Sequence, residues 1–122
     1  MQPIKHAVGG PFPVLVPPGA YFLLALSADA TVNGGLPKPG YVYGGLTFSS
    51  TAATISLHSG GVELDKVTYD KAFPLVTGKS TALDPQKSTA TDNDDAANWC
   101  KGQAAYGKGD FGSPGAVNPS CA

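Results

Sequence analysis

The clearest periodicity lies in the middle of the chain. Ala53-Thr54-Ile55-Ser56-Leu57 alternates apolar and polar positions, which puts Ala53, Ile55 and Leu57 on one face of a strand. Ser59-Gly60-Gly61 then reads as a tight hairpin turn, and Val62 to Tyr69 returns as the second strand. Its apolar positions change parity at Asp65-Lys66, from Val62 and Leu64 to Val67 and Tyr69. A β-bulge there restores a single apolar face. This hairpin is the strongest supersecondary signal in the sequence.

Elsewhere the segments are shorter. Pro11 to Pro18 intersperses Phe12, Val14, Leu15 and Val16 with prolines. Proline has no ladder donor, so this stretch is extended or an edge strand. Pro18-Gly19 signals a turn. Tyr21 to Leu26 is an uninterrupted apolar run whose length predicts a strand buried on both faces. Asn33-Gly34-Gly35 requires positive φ within the following loop. Tyr41-Val42-Tyr43 is a short strand stopped by Gly44-Gly45, and Leu46-Thr47-Phe48 alternates before a Ser/Thr turn. Phe73 to Val76 is an irregular apolar connector, and Ser80 to Leu83 is a short strand stopped by Asp84-Pro85. Gln86 to Asn98 is polar loop with at most one helical turn near its end, and the chain after Trp99-Cys100 is glycine-rich loop.

Composition supports an all-β reading and narrows the partners. Sixteen glycines and eleven prolines punctuate a chain of 122 residues, enough for one domain with a core. Charged residues are 14%, with eight basic against nine acidic and a net charge of −1. No basic field is present to attract nucleic acid or an anionic membrane. The longest apolar run is too short to span a bilayer, and Met1 to His6 carries no signal-peptide core. Either the protein stays inside the cell or its export signal lies outside this chain; low charge, abundant Ser, Thr and Gly, and a pair of cysteines favour the second, an extracellular or cell-surface setting.

Several phrases resemble one known family. These are PPGAYFLL at Pro17 to Leu24, ADATVNGG at Ala28 to Gly35, SLHSGGVELDKVTYD at Ser56 to Asp70 and STALDP at Ser80 to Pro85. DNDDAANWC at Asp92 to Cys100 and YGKGDFGSPGAVNPSC at Tyr106 to Cys121 complete the series. In this order they resemble bacterial lamin-tail domains, and the most specific parts are Asn98-Trp99 and the Gly112 to Asn118 phrase. The resemblance implies an immunoglobulin-like β-sandwich of lamin-tail type with long Gly/Pro-rich loops, occupying residues 1–122, with residues 1–11 as an extended arm. It also implies a non-enzymatic structural module of surface or secreted proteins that needs no cofactor. The family's opening strands, a Glu-rich E-x-x-E-L-x-N strand and an L-x-G-W strand, have no counterpart in Met1 to Pro11. A sandwich without them has an open edge and an uncovered apolar face, so a homo-oligomer or filament by strand complementation is expected, with the Ile4 to Val16 arm or the Tyr21–Leu26 strand at the contact. Cys100 and Cys121 each end a matched phrase and are the only cysteines, so a disulfide between them is expected.

Other chemistry is weaker. Asp92, Asn93, Asp94, Asp95 and Asn98 supply oxygens of the kind Ca²⁺ takes, but they lack the glycine and terminal glutamate of an EF-hand loop. The plainer reading is a turn-forming loop with a helix cap at Asp94 or Asp95, delivering Trp99 as a core anchor against the sheet carrying Ile55, Leu57 and Leu64. Tyr41 and Tyr43, with Phe48, form a stacking face for a sugar ring if they are exposed together, which would make the domain a carbohydrate- or ligand-binding module. His6 and His58 stand far apart with no zinc spacing, no G-x-S-x-G elbow occurs, and Asp65 and Asp70 lack a predicted cleft.

Overall fold

A computed structural model describes residues 15–121. The chain is all-β with almost no helix. Among the described residues eight strands form four two-stranded ladders: β1 (Leu24–Ala25) with β2 (Tyr41–Val42), β3 (Ala53–Ser59) with β4 (Val62–Tyr69), β5 (Thr81–Leu83) with β6 (Trp99–Lys101), and β7 (Ala105–Tyr106) with β8 (Asp110–Phe111). The first pair is parallel and the other three are antiparallel.

The hairpin β3–β4 follows directly from its sequence. Ser59 pairs with Val62 across Gly60 and Gly61, whose φ values are 58° and 81°. Positive φ at both central residues is the backbone twist a two-residue hairpin turn prefers, and it is open to glycine at little steric cost. Ile55 faces Val67, Leu57 faces Asp65, and the register then shifts so that His58 meets Glu63. The bulge therefore sits at Leu64, next to the parity change rather than at Asp65-Lys66. On the other face the Thr54 and Thr68 hydroxyls are hydrogen-bonded across the strands.

The run Tyr21 to Leu26 departs from expectation. Only Leu24 and Ala25 pair, and Tyr21, Leu24 and Leu26 are exposed while Ala25 is buried. A two-residue ladder gives this segment one neighbour, and Phe22 and Leu23 are half-buried, the Phe22 ring lying against Gly40. The chain after Cys100 is also more ordered than its glycine content suggests. Phe111 N–H donates to Gly78 O, Ser80 N–H to Phe111 O, and Gly102 N–H to Ser80 O. These bonds draw the β7–β8 turn and the end of β6 alongside the entry to β5. Leu46 to Phe48 forms no strand.

Two loops are fixed by side chains and by a close crossing. Asn33 Oδ1 accepts from the N–H groups of Gly35 and Leu36, and its Nδ2 donates to Ser27 O. In the same loop the Thr31 hydroxyl and then the Thr31 N–H hold the Asp29 carboxyl below the ordinary aspartate pKa. This loop passes against the β7–β8 turn, where a Cβ placed on Gly35 would lie 2.7 Å from Gly107 Cα. Gly107 has φ of 60°, so both the conformation and the contact demand glycine there.

The buried apolar set is small among the described residues: Ala25, Phe73 and Ala82. Asp70 delivers Phe73 into it by a local turn. Its carboxylate accepts from Ala72 N–H, and its carbonyl accepts from Phe73 N–H.

Candidate functional site

The apolar face of the hairpin remains open. Ile55 is 46% exposed and Leu57 is 55% exposed, although both lie on the face that alternation assigns to a core. They line a hollow of about 460 Å³ together with Val67 and Tyr69 of β4, Phe73 and Leu75 of the connector, and Trp99 of β6. Phe48 and Ser49 stand at its margin. The hollow thus lies between the hairpin and the β5–β6 ladder. Completing the burial of Ile55 and Leu57 is worth about 1 kcal/mol for each, taking half of the value for a fully buried aliphatic side chain.

The wall carrying Trp99 is built by the polar run before it. Asp92–Asp94 and Ala96–Asn98 are single turns of 3₁₀ helix. Asp95 caps the second, its carboxylate accepting from Ala97 N–H at 2.9 Å. Asn98 Nδ2 donates to Asp92 O, which folds the two turns onto each other. Trp99 then enters β6 with its ring 5.9 Å from that of Phe73 and its Nε1–H donating to Asn93 O at 2.8 Å. Trp99 is half-buried: it shares the hollow with Ile55 and Leu57, whereas Leu64 is exposed and outside it.

Asn93 joins the two walls. It is 7% exposed, and its Nδ2 donates to Asp65 Oδ2 on β4, so one amide links the hairpin to the Trp99 turn. The carboxylate fixes the orientation of the amide, because the reverse orientation would set oxygen against oxygen. Its Oδ1 is buried without a hydrogen-bond partner. From the sequence this residue was a candidate oxygen ligand for Ca²⁺, not a bridge between the walls. Its only local signal is a central position in an acidic turn, six residues before an indole that needs an acceptor.

Asp95 and Asn98 are engaged with backbone groups, and among the described residues no three His, Cys, Asp or Glu side chains come together as metal ligands. Tyr41 and Tyr43 are half-buried rather than a shared exposed platform, and Tyr43 meets Phe48 edge-on at 6.0 Å. Asp65 and Asp70 serve the hydrogen bonds above. His58 is exposed with Nε2 3.1 Å from Ser56 Oγ, and His6 lies outside the described residues.

Cys100 and Cys121 form a disulfide, with Cα atoms 5.6 Å apart. The tail approaching it is held as well by Asn118, whose Nδ2 donates to Leu83 O and whose Oδ1 accepts from Ser113 Oγ. A second hollow of about 430 Å³ borders the disulfide between Lys79, Lys101 and Phe111, with Lys79 Nζ 5.4 Å from the centre of the Phe111 ring. Among the described residues no helix is long and apolar enough to cross a membrane. No family model, curated protein or solved structure matches the chain.

Proposed function

We propose that this chain is a non-enzymatic structural module of a surface or secreted protein, an immunoglobulin-like sandwich of lamin-tail type that associates with itself through exposed strand edges. The observation that carries this reading is the open hollow beside an unpaired hairpin. Each strand of β3–β4 has one ladder neighbour and one edge without a strand partner among the described residues. An unpaired edge next to an uncovered apolar face is a template for another strand. The disulfide is compatible with an oxidising, extracellular setting. The sandwich assignment rests on the sequence resemblance together with the all-β fold.

Sedimentation velocity over a range of concentrations tests the reading. The expected result is a reversible shift to species heavier than one chain, lost in Leu57→Lys, which places a charge in the hollow at a half-exposed position. A wild-type chain that remains monomeric at every concentration refutes self-association.

A further inference from the structure

We propose that Asn33 is a modification site, at which the chain converts its own side-chain amide to a carboxylate with loss of ammonia and so unfastens the loop from Ser27. The inference stands apart from self-association. It uses neither the hollow nor the Ile4 to Val16 arm, whose residues before Leu15 lie outside the described part.

The chemistry starts from the sequence. Asparagine occurs at positions 33, 93, 98 and 118, and Asn33 alone is followed by glycine. An asparagine amide can be attacked at Cγ by the backbone nitrogen of the next residue, which closes a five-membered imide. A side chain on that next residue crowds the approach, and glycine has none. Asn118 precedes Pro119, whose nitrogen carries no hydrogen and cannot enter the ring. Asn98 precedes Trp99, while Asn93 precedes Asp94 and is buried with its amide on Asp65.

The structure leaves the reacting groups within reach of each other and of water. Asn33 and Gly34 are half-buried, and the Gly34 N–H has no acceptor among the described residues. Three bonds restrain the Asn33 amide. Its Oδ1 accepts from Gly35 N–H at 3.2 Å and from Leu36 N–H at 3.0 Å, and its Nδ2 donates to Ser27 O at 2.9 Å. All three lie within one loop, and loops open locally more readily than paired strands. Once they open, Cγ is free to meet Gly34 N.

The step balances with water alone. Gly34 N gives its proton to solvent base and bonds to Cγ; the Cγ–Nδ2 bond breaks, and the nitrogen leaves as ammonia with a proton from water. Water then adds to one of the two imide carbonyls and a ring C–N bond breaks. Opening at Cγ leaves aspartate. Opening at the backbone carbonyl leaves isoaspartate, in which the chain runs on through Cβ and Cγ. One water is consumed and one ammonia released.

Neither product fits the loop. Aspartate still accepts from Gly35 and Leu36, but it has no donor for Ser27 O and sets oxygen against oxygen there. Its charge joins a loop that already carries the Asp29 carboxylate and passes Asp110, whose Oδ2 lies 3.3 Å from where a Cβ on Gly34 would stand. Isoaspartate lengthens the backbone by one carbon just ahead of Gly35, where even a Cβ would lie 2.7 Å from Gly107 Cα.

The test follows the full chain in warm, mildly alkaline buffer made with oxygen-labelled water. Peptide mapping by mass spectrometry should find labelled conversion at Asn33 roughly tenfold or more faster than at Asn93 or Asn98, with isoaspartate among the products. Isoaspartate marks the imide, because direct hydrolysis of the amide yields aspartate alone. In the isoaspartate form, separated by chromatography, hydrogen exchange at Gly35 and Leu36 should be roughly fivefold or more faster than in wild type, with β3 and β4 unchanged. Asn33→Asp, which carries the other product without ring chemistry, should lower the thermal midpoint by a few degrees. No conversion at Asn33, or conversion at Asn93 or Asn98 that matches it, overturns the site. Aspartate without isoaspartate overturns the imide route. An isoaspartate form with wild-type exchange, or a wild-type midpoint in Asn33→Asp, overturns the unfastening while leaving the modification in place.

Discussion

Removing the Cys100–Cys121 disulfide is expected to lower stability by an amount set by the loop it closes. The two residues are 21 apart in sequence. In the chain-entropy model a loop of that size restricts the unfolded state by about 11 cal/mol/K, or about 3 kcal/mol at 25 °C. For a chain of this length the unfolding entropy is about 0.26 kcal/mol/K, so the midpoint should fall by about 13 °C. The perturbation is the double variant Cys100→Ala, Cys121→Ala, which avoids leaving an unpaired thiol. Far-ultraviolet circular dichroism on heating, in wild type and variant without reductant, gives the shift, and wild type in reductant should move to the same midpoint. Asn118 holds the tail to β5 independently of the sulfurs, so Asn118→Ala should add its own cost of about 1 kcal/mol. In the disulfide-free chain that cost should grow, because the two ties share one segment. Two titratable thiols in the unreduced, denatured wild-type protein would refute the crosslink. A midpoint shift of only a degree or two would refute the entropic account while leaving the bond in place.

Trp99→Ala should cost about 3 kcal/mol, the low end for an aromatic truncation because the ring is only half-buried, and denaturant unfolding measures it. Gly107→Ala should lower the melting temperature by several degrees, since the residue needs positive φ and its Cβ would strike the Gly34 carbonyl; scanning calorimetry is the check. Millimolar Ca²⁺ should leave the melting temperature of wild type and of Asp94→Ala equal; a rise of many degrees in wild type that Asp94→Ala abolishes would restore the metal reading.

The hairpin was legible because every one of its determinants is local. Alternation in Ala53 to Leu57, the paired glycines and the parity change near Asp65 each act over a few residues. The helix cap at Asp95 is legible for the same reason. The strands β6, β7 and β8 were not, because they are two or three residues long; β6 is held by β5 and β8 by Gly78 and Ser80, from earlier in the chain, while β7 pairs with β8. Local glycine content argues against strand there, and non-local backbone pairing overrides it. Tyr21 to Leu26 fails in the opposite sense. A continuous apolar run states that two faces prefer cover, and it cannot state where the cover comes from. The hollow was half visible. Ile55, Leu57 and Trp99 were assigned to one packing group from pattern, but Phe73 and Leu75 came from an irregular connector, and Asn93 bridges the walls through a contact that no periodicity encodes.

The crossing of the Asn33-Gly34-Gly35 loop over Gly107 also orders the events of folding. The β3–β4 hairpin closes across two residues, so it forms on the fastest timescale available to strands. The crossing instead joins an early loop to a late one, so its closure costs more chain entropy than that of the hairpin. Hydrogen exchange should show weaker protection at Gly35 and Leu36, whose N–H groups are held by bonds within the loop to Ala30 O and Asn33 Oδ1, than in the strands of the hairpin.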